Sequence, residues 1–301
     1  MTRLALAGVL AIALLAPATA PAQEGKRYAV LVGVNEYDHD KLAPLKYAVN
    51  DAAEVGALLE KAGYAVTVLT DDTGKADAKL VPTKANIEGR LKAVLGGCKR
   101  GDLVLVAFAG HGLQFEGDKD AYFCPADAKP FKKSADTLVS LKAVYEALDE
   151  SGAGMKVLLV DACRDDPAAG RGGIGADNAP RPPQGVAAIF SCKAGQRAFE
   201  HESLKHGVFF HHVLTGLSGE AADKKGRITF ASLAAHVGQE VPGDVARLVK
   251  GGAVQTPNLK AEYSSEPVLV TKAVPALERR MTTDEQVAAD LRAYERAADT
   301  R

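Results

Sequence analysis

Leu103-Val104-Leu105-Val106-Ala107-Phe108 runs into Ala109-Gly110-His111-Gly112. An unbroken apolar run of this length, with no polar alternation, reads as a strand buried on both faces. Two further runs share the character. Tyr28-Ala29-Val30-Leu31-Val32-Gly33-Val34 is the first, and Lys156-Val157-Leu158-Leu159-Val160 leads into Asp161-Ala162-Cys163-Arg164. Doubly buried parallel strands need helices on both sides. The segments between the runs supply them. Residues 44–63 carry Ala48, Ala52, Val55, Leu59 and Ala62 at helical spacing, with Pro44 suited to the first turn and Gly63 to the stop. Helices are also expected from Thr83 to Gly96 and over 141–148, 208–217 and 230–241. Further strands are expected at 64–70, 186–190 and 267–270, the last as the sixth strand of the sheet. Residues 71–82, 110–130 and 165–185 read as loops, the second with room for a hairpin. The expected fold is a three-layer α/β/α sandwich around a mostly parallel six-stranded sheet, spanning 27–272. Residues 273–301 read as a charged helical tail, with Thr282 and Glu285 in capping-box spacing.

The composition excludes several classes. The chain has 301 residues, 47% hydrophobic and 25% charged, so it is not wholly disordered. A net charge of −1 gives no field suited to nucleic acid or an anionic membrane. Four cysteines are too few for a disulfide scaffold. Residues 1–22 join a short basic head, an apolar stretch from Leu4 to Ala16 and small residues before a cleavage point after Ala22. This pattern reads as a secretory leader, giving an exported protein in the periplasm or outside the cell, with no stable membrane insertion once the leader is removed.

In open α/β sheets, ligands bind beyond the carboxyl ends of the strands. His111 and Cys163 stand at two such ends. A thiol becomes a nucleophile when a base removes its proton, and an imidazole can do this. Glycines around His111 allow close approach of a substrate backbone, and the N–H groups of Gly112 and Cys163 suit an oxyanion.

These pieces resemble the caspase–metacaspase family of cysteine peptidases. The resemblance is carried in order by Tyr28–Tyr37, Asn50-Asp51-Ala52, Ala109-Gly110-His111-Gly112, Asp161-Ala162-Cys163, Phe190–Gln196, His206–Phe210 and Gln255-Thr256-Pro257. The peptide around Cys163 lacks the Gln-Ala-Cys signature of animal caspases and looks like the bacterial, metacaspase-like branch. The resemblance implies a caspase-like fold, a Cys163–His111 dyad and hydrolysis of peptide bonds. It also implies that Asp51 and Asp161 line the S1 pocket and hold the Arg or Lys side chain of the residue preceding the cut (P1), so the expected partner is a peptide or protein with a basic P1 residue. Such an enzyme would find sites in its own 165–185 loop. Arg171, followed by Gly172-Gly173, suits cleavage better than Arg181, whose successor is Pro182. No cofactor is required on this reading. Calcium is a possible addition, although Asp118, Asp120, Asp127 and Asp136 form no calcium-loop pattern, and no Cys/His zinc spacing occurs. Cys98, Cys124 and Cys192 could supply one disulfide or none. The competing readings are a catalytically silent caspase-like interaction module and a flavodoxin-like binder, the latter lacking a Gly-rich turn after the first strand.

Overall fold

The structure, a computed structural model, describes residues 25–162, 181–193, 195–263 and 265–273. The apolar runs lie side by side. Strands β1 (Arg27–Gly33), β2 (Ala65–Thr70), β3 (Leu103–Ala109), β7 (Met155–Asp161) and β8 (Val186–Phe190) are parallel, and β12 (Asn258–Glu262) adds an antiparallel edge. The order across the sheet is β12-β8-β7-β3-β1-β2. The pleat of β3 divides its side chains between two cores. Leu103, Leu105, Ala107 and Ala109 enter one with helices α1 (Ala48–Lys61), α5 (Val208–Thr215) and α6 (Phe230–Leu248). Val104, Val106 and Phe108 enter the other with α3 (Lys84–Leu95) and α4 (Leu141–Glu150). Both faces of the sheet are thus covered, which is why these strands read as continuous apolar runs. Short strands β4 (Gly112–Leu113), β5 (Tyr122–Phe123) and β6 (Val139–Ser140) form the hairpin region after β3. Strands β9 (Glu200–His201) and β10 (His206–Gly207) pair as a second small ladder, and β11 (Ile228–Thr229) pairs with β13 (Val268–Val270).

Four expectations are corrected. The first helix begins at Ala48, not Pro44. The N–H groups of Lys46 and Tyr47 instead reach the Glu200 carboxylate, at 3.1 and 2.8 Å. Residues 71–82 contain a short helix, α2 (Asp71–Ala76), because Thr70 and Thr73 form a reciprocal cap at its start. The sixth strand of the sheet is β12, whereas 268–270 pairs with β11. Asn258-Leu259-Lys260-Ala261-Glu262 is an exposed edge with a polar residue at every second position, so it carries no buried-strand signal. Helix α6 continues through Pro242 to Leu248, because the buried stripe Val237, Val241, Val245 holds the turns beyond the proline. Cys98, Cys124 and Cys192 are free and buried.

Candidate active site

Parallel pairing of β3 with β7 sets Ala109 opposite Asp161, so both chains leave the sheet at one edge. The Gly110 N–H donates to the Asp161 carbonyl at 3.1 Å and fixes the exit of the His111 loop. Gly110 is needed for space: a Cβ there would lie 2.9 Å from the Tyr37 hydroxyl and 3.0 Å from the Phe123 ring. Next along the chain, the His111 N–H donates to the Tyr37 hydroxyl at 2.8 Å, and that hydroxyl donates to the Val34 carbonyl at 3.2 Å. The Tyr37 and His111 ring centroids lie 5.0 Å apart. His111 Nε2 is 2.8 Å from the Ala43 carbonyl oxygen. A carbonyl only accepts, so Nε2 carries the proton, and the lone pair of the neutral ring resides on Nδ1. Burial lowers the His111 pKa, which keeps the ring neutral and able to accept a proton at physiological pH. The Cys124 N–H donates to the His111 carbonyl at 2.8 Å, and Gly112 stands opposite Phe123. In an antiparallel ladder this makes Gly112 a non-hydrogen-bonded pair, so its N–H points away from β5.

His111, Gly112, Asp51 and Asp161 line one cavity of about 430 Å³. Cys163 lies outside the described residues. Asp51, on the first turn of α1, is 2% exposed, and Asp161, at the end of β7, is 7% exposed. They converge over Gly207, where a Cβ would lie 2.7 Å from Asp161 Oδ2 and 3.0 Å from Asp51 Oδ2. Their environments differ. Asp51 Oδ1 meets His206 Nδ1 at 2.7 Å, and the Gly207 N–H lies 3.3 and 3.2 Å from its two oxygens. Asp161 Oδ1 has no hydrogen-bond partner among the described residues. The Ser191 hydroxyl lies near enough to favour the anion, but its geometry falls short of a hydrogen bond to any of the described residues. Burial therefore pushes the Asp161 pKa up to about 8, with the charges of Asp51 and Glu200 adding to the rise. Burial also raises Asp51, but the hydrogen bond and charge of His206 limit it to about 6. Lys41 and Arg197 line the cavity as well, and both are exposed, while the two aspartates are buried.

Sequence reasoning missed Glu200, Tyr37 and the role of His206. Glu200 lines the cavity from β9 and ties that strand to the start of α1. Only the fold brings it near Asp51. His206 belongs to the family-like stretch His206–Phe210, yet nothing local marks it as the partner of an acid on α1. Of the two arginines proposed for self-cleavage, Arg171 lies outside the described residues, and Arg181 is exposed. Among the described residues, no group of three or more His, Cys, Asp and Glu side chains could hold a metal ion. Asp118, Asp120 and Asp127 are engaged by backbone donors: they accept from the N–H groups of Asp120, Lys142 and Lys84, at 3.0, 3.0 and 2.9 Å. No helix among the described residues is long and apolar enough to cross a membrane.

Residues 26–285 match the family model described as caspase domain. Metacaspase-1 of Mycosarcoma maydis is 33% identical over 94 residues, which is 30% of this chain and 22% of that protein. Metacaspase-3 of Arabidopsis thaliana is 32% identical over 127 residues, 38% of this chain and 34% of that protein. The chain thus aligns with about a third or less of these relatives' length. Among solved structures, caspase-1 of Spodoptera frugiperda superposes with a TM-score of 0.58 at 16% identity, covering 83% of this chain and 91% of that one. A Geobacter sulfurreducens protein gives 0.56 at 16% identity, covering 84% and 100%. These likenesses establish the caspase-like fold.

Proposed function

The chain belongs to the caspase-domain family, and on that premise we propose that it is a cysteine endopeptidase that cleaves after Arg or Lys. Cys163 is the nucleophile and His111 its base. His111 Nδ1 takes the thiol proton, and the thiolate attacks the carbonyl carbon of the scissile bond. The N–H groups of Gly112 and Cys163 receive the oxyanion. His111 then returns the proton to the leaving amine as the C–N bond breaks, leaving an acyl-enzyme. Water, deprotonated by the same imidazole, releases the carboxylic product and restores the thiol.

The observation that carries the specificity is the buried Asp161 carboxyl, whose Oδ1 has no hydrogen-bond partner among the described residues, in a cavity that also holds Asp51 and His111. A buried carboxylate is costly without a cation or full hydrogen bonding. A guanidinium or ammonium at P1 supplies that cation, and Glu200 adds a third acid to the same wall. The buried position of the acids against the exposed position of Lys41 and Arg197 favours a basic over an acidic P1 residue. Hydrolysis of an arginyl fluorogenic peptide tests the reading. Wild type is expected to turn it over and Cys163→Ala to lose all activity above background; activity retained in Cys163→Ala would overturn it.

The reading requires no metal, so activity is expected to survive chelation of calcium. The pattern in residues 1–22 supports action after export. Self-cleavage is expected after Arg171 in preference to Arg181. Intact-mass spectrometry should find the cut in wild type and not in Cys163→Ala; identical cuts in both would assign it to another protease.

A further inference from the structure

A second charged group stands behind the two aspartates, and the peptidase chemistry does not use it. The His206 ring is buried, and both of its nitrogens face carboxylates. Nδ1 is 2.7 Å from Asp51 Oδ1, and Nε2 is 3.3 Å from Glu54 Oε2. A neutral imidazole has one N–H and one lone pair. Placed between two carboxylates, it would turn that lone pair toward an anion. With both carboxyls ionised, only the doubly protonated ring donates at both ends, so the geometry favours the imidazolium.

We propose that His206 is the resident counter-cation of the specificity pocket, holding Asp51 ionised and in place while the pocket is empty. The proposal rests on the S1 reading above and deepens it. His206 is a positioning residue, because it acts through Asp51 and not on substrate.

The surroundings agree. From α1, Asp51 and Glu54 face the ring. From α5, His211 lies 6.1 Å away between ring centroids, and burial together with the neighbouring histidines lowers its pKa to about 4, so it adds no competing charge. From β9, Glu200 stands opposite Gly207 in the ladder. Lys205, the preceding residue, directs its ammonium to Glu202 at 3.9 Å. Burial alone would lower the pKa of His206, but its bonds to Asp51 and Glu54 and their charges outweigh this and hold it at about 9. Asp51 and Asp161 are two similarly buried acids, and the one with the histidine stays near 6 while the one without it rises to about 8. Between these values the empty pocket holds one charged and one protonated carboxyl. A P1 cation then displaces one proton, from Asp161.

Replacing the histidine by a neutral residue changes that count. In His206→Gln, Asp51 keeps its proton as well, and a P1 cation must displace two. KM for an arginyl peptide, measured from pH 6 to 8, is therefore expected to fall about tenfold per pH unit in wild type and more steeply in His206→Gln. At pH 6.5 the variant's KM should exceed wild type by roughly tenfold, one pK unit of lost preorganisation, with the change in KM and not in kcat. His206→Lys, which restores a cation, should bring KM back toward wild type. An identical pH profile of KM in wild type and His206→Gln, with arginyl cleavage intact, would overturn this proposal and leave the S1 reading standing. Wild type with no preference for basic P1 residues would overturn both. A second measurement is independent of how the variants fold. The ¹⁵N spectrum of the wild-type histidines at pH 7 should show His206 protonated on both ring nitrogens, and a singly protonated His206 would contradict the proposal.

Discussion

Asp161 lowers the stability of the empty protein for the same reason that it suits a cation. Its folded pKa, near 8, lies above the unfolded value of about 3.9. A group raised in this way binds more protons folded than unfolded, so its stabilising contribution is complete below pH 4 and is lost as pH rises through 8. Asp161→Asn removes that dependence. The variant is expected to be more stable than wild type at pH 8, with the gap narrowing as pH falls toward 4. Thermal melts across that range check it, and an equal Tm difference at every pH would contradict it. The same substitution should lower kcat/KM on arginyl peptides by orders of magnitude, because truncating one partner of a buried charge pair costs about 2–5 kcal/mol. Asp161 was legible in the sequence as an acid two residues before a cysteine at a strand end. That its Oδ1 lacks a partner among the described residues was not legible, since that depends on how Ser191, just beyond a different strand, packs against it.

Among the elements, the buried strands were the most readable part of the chain, because β1, β3, β7 and β8 are apolar on both faces. The edge strand β12 was hidden by its alternating polar residues and exposed Leu259. The walls of the cleft were hidden as well, because β9 and β10 are two residues long and owe their positions to tertiary partners. Gln255 is one such partner: fully buried, it accepts from the Phe199 N–H at 3.0 Å and donates to the Ser191 carbonyl at 3.1 Å. Gln255→Ala leaves both groups unpaired, and urea unfolding should show a loss of about 1–3 kcal/mol, with reduced activity from a loosened wall. Gly207 on β10 gives a cleaner probe. Its φ of −60° and ψ of 137° are open to alanine, so Gly207→Ala should fold. The added methyl would press on both aspartates and should raise KM for arginyl peptides by about tenfold or more, in line with the ~1–3 kcal/mol of overpacking. Unchanged KM would show that the two carboxylates do not hold the P1 side chain.

Across the whole molecule, segments distant in sequence are tied together at both ends of the sheet. At the end opposite the cleft, Arg27 Nη1 donates to the carbonyls of Val268 and Leu269 at 2.8 and 2.9 Å, and the Tyr64 hydroxyl donates to Leu269 at 2.6 Å. This clamp fixes β13 to the first strand, and Arg27→Ala should cost roughly 1–3 kcal/mol in unfolding free energy, read by denaturant titration, without changing kcat. At the other end, α1, β3, β7, β9 and β10 each deliver one or two residues to a single cavity. Sequence order alone could align His111, Cys163, Asp51 and Asp161 with a family pattern, but only the sheet order shows that three of them share one pocket, with Cys163 following two residues after Asp161. The most direct test is therefore cleavage of a peptide library randomised at P1 by the purified protein. The account predicts cuts after Arg and Lys alone, lost in Cys163→Ala; cleavage after Asp, or cuts that persist without the Cys163 thiol, would contradict it.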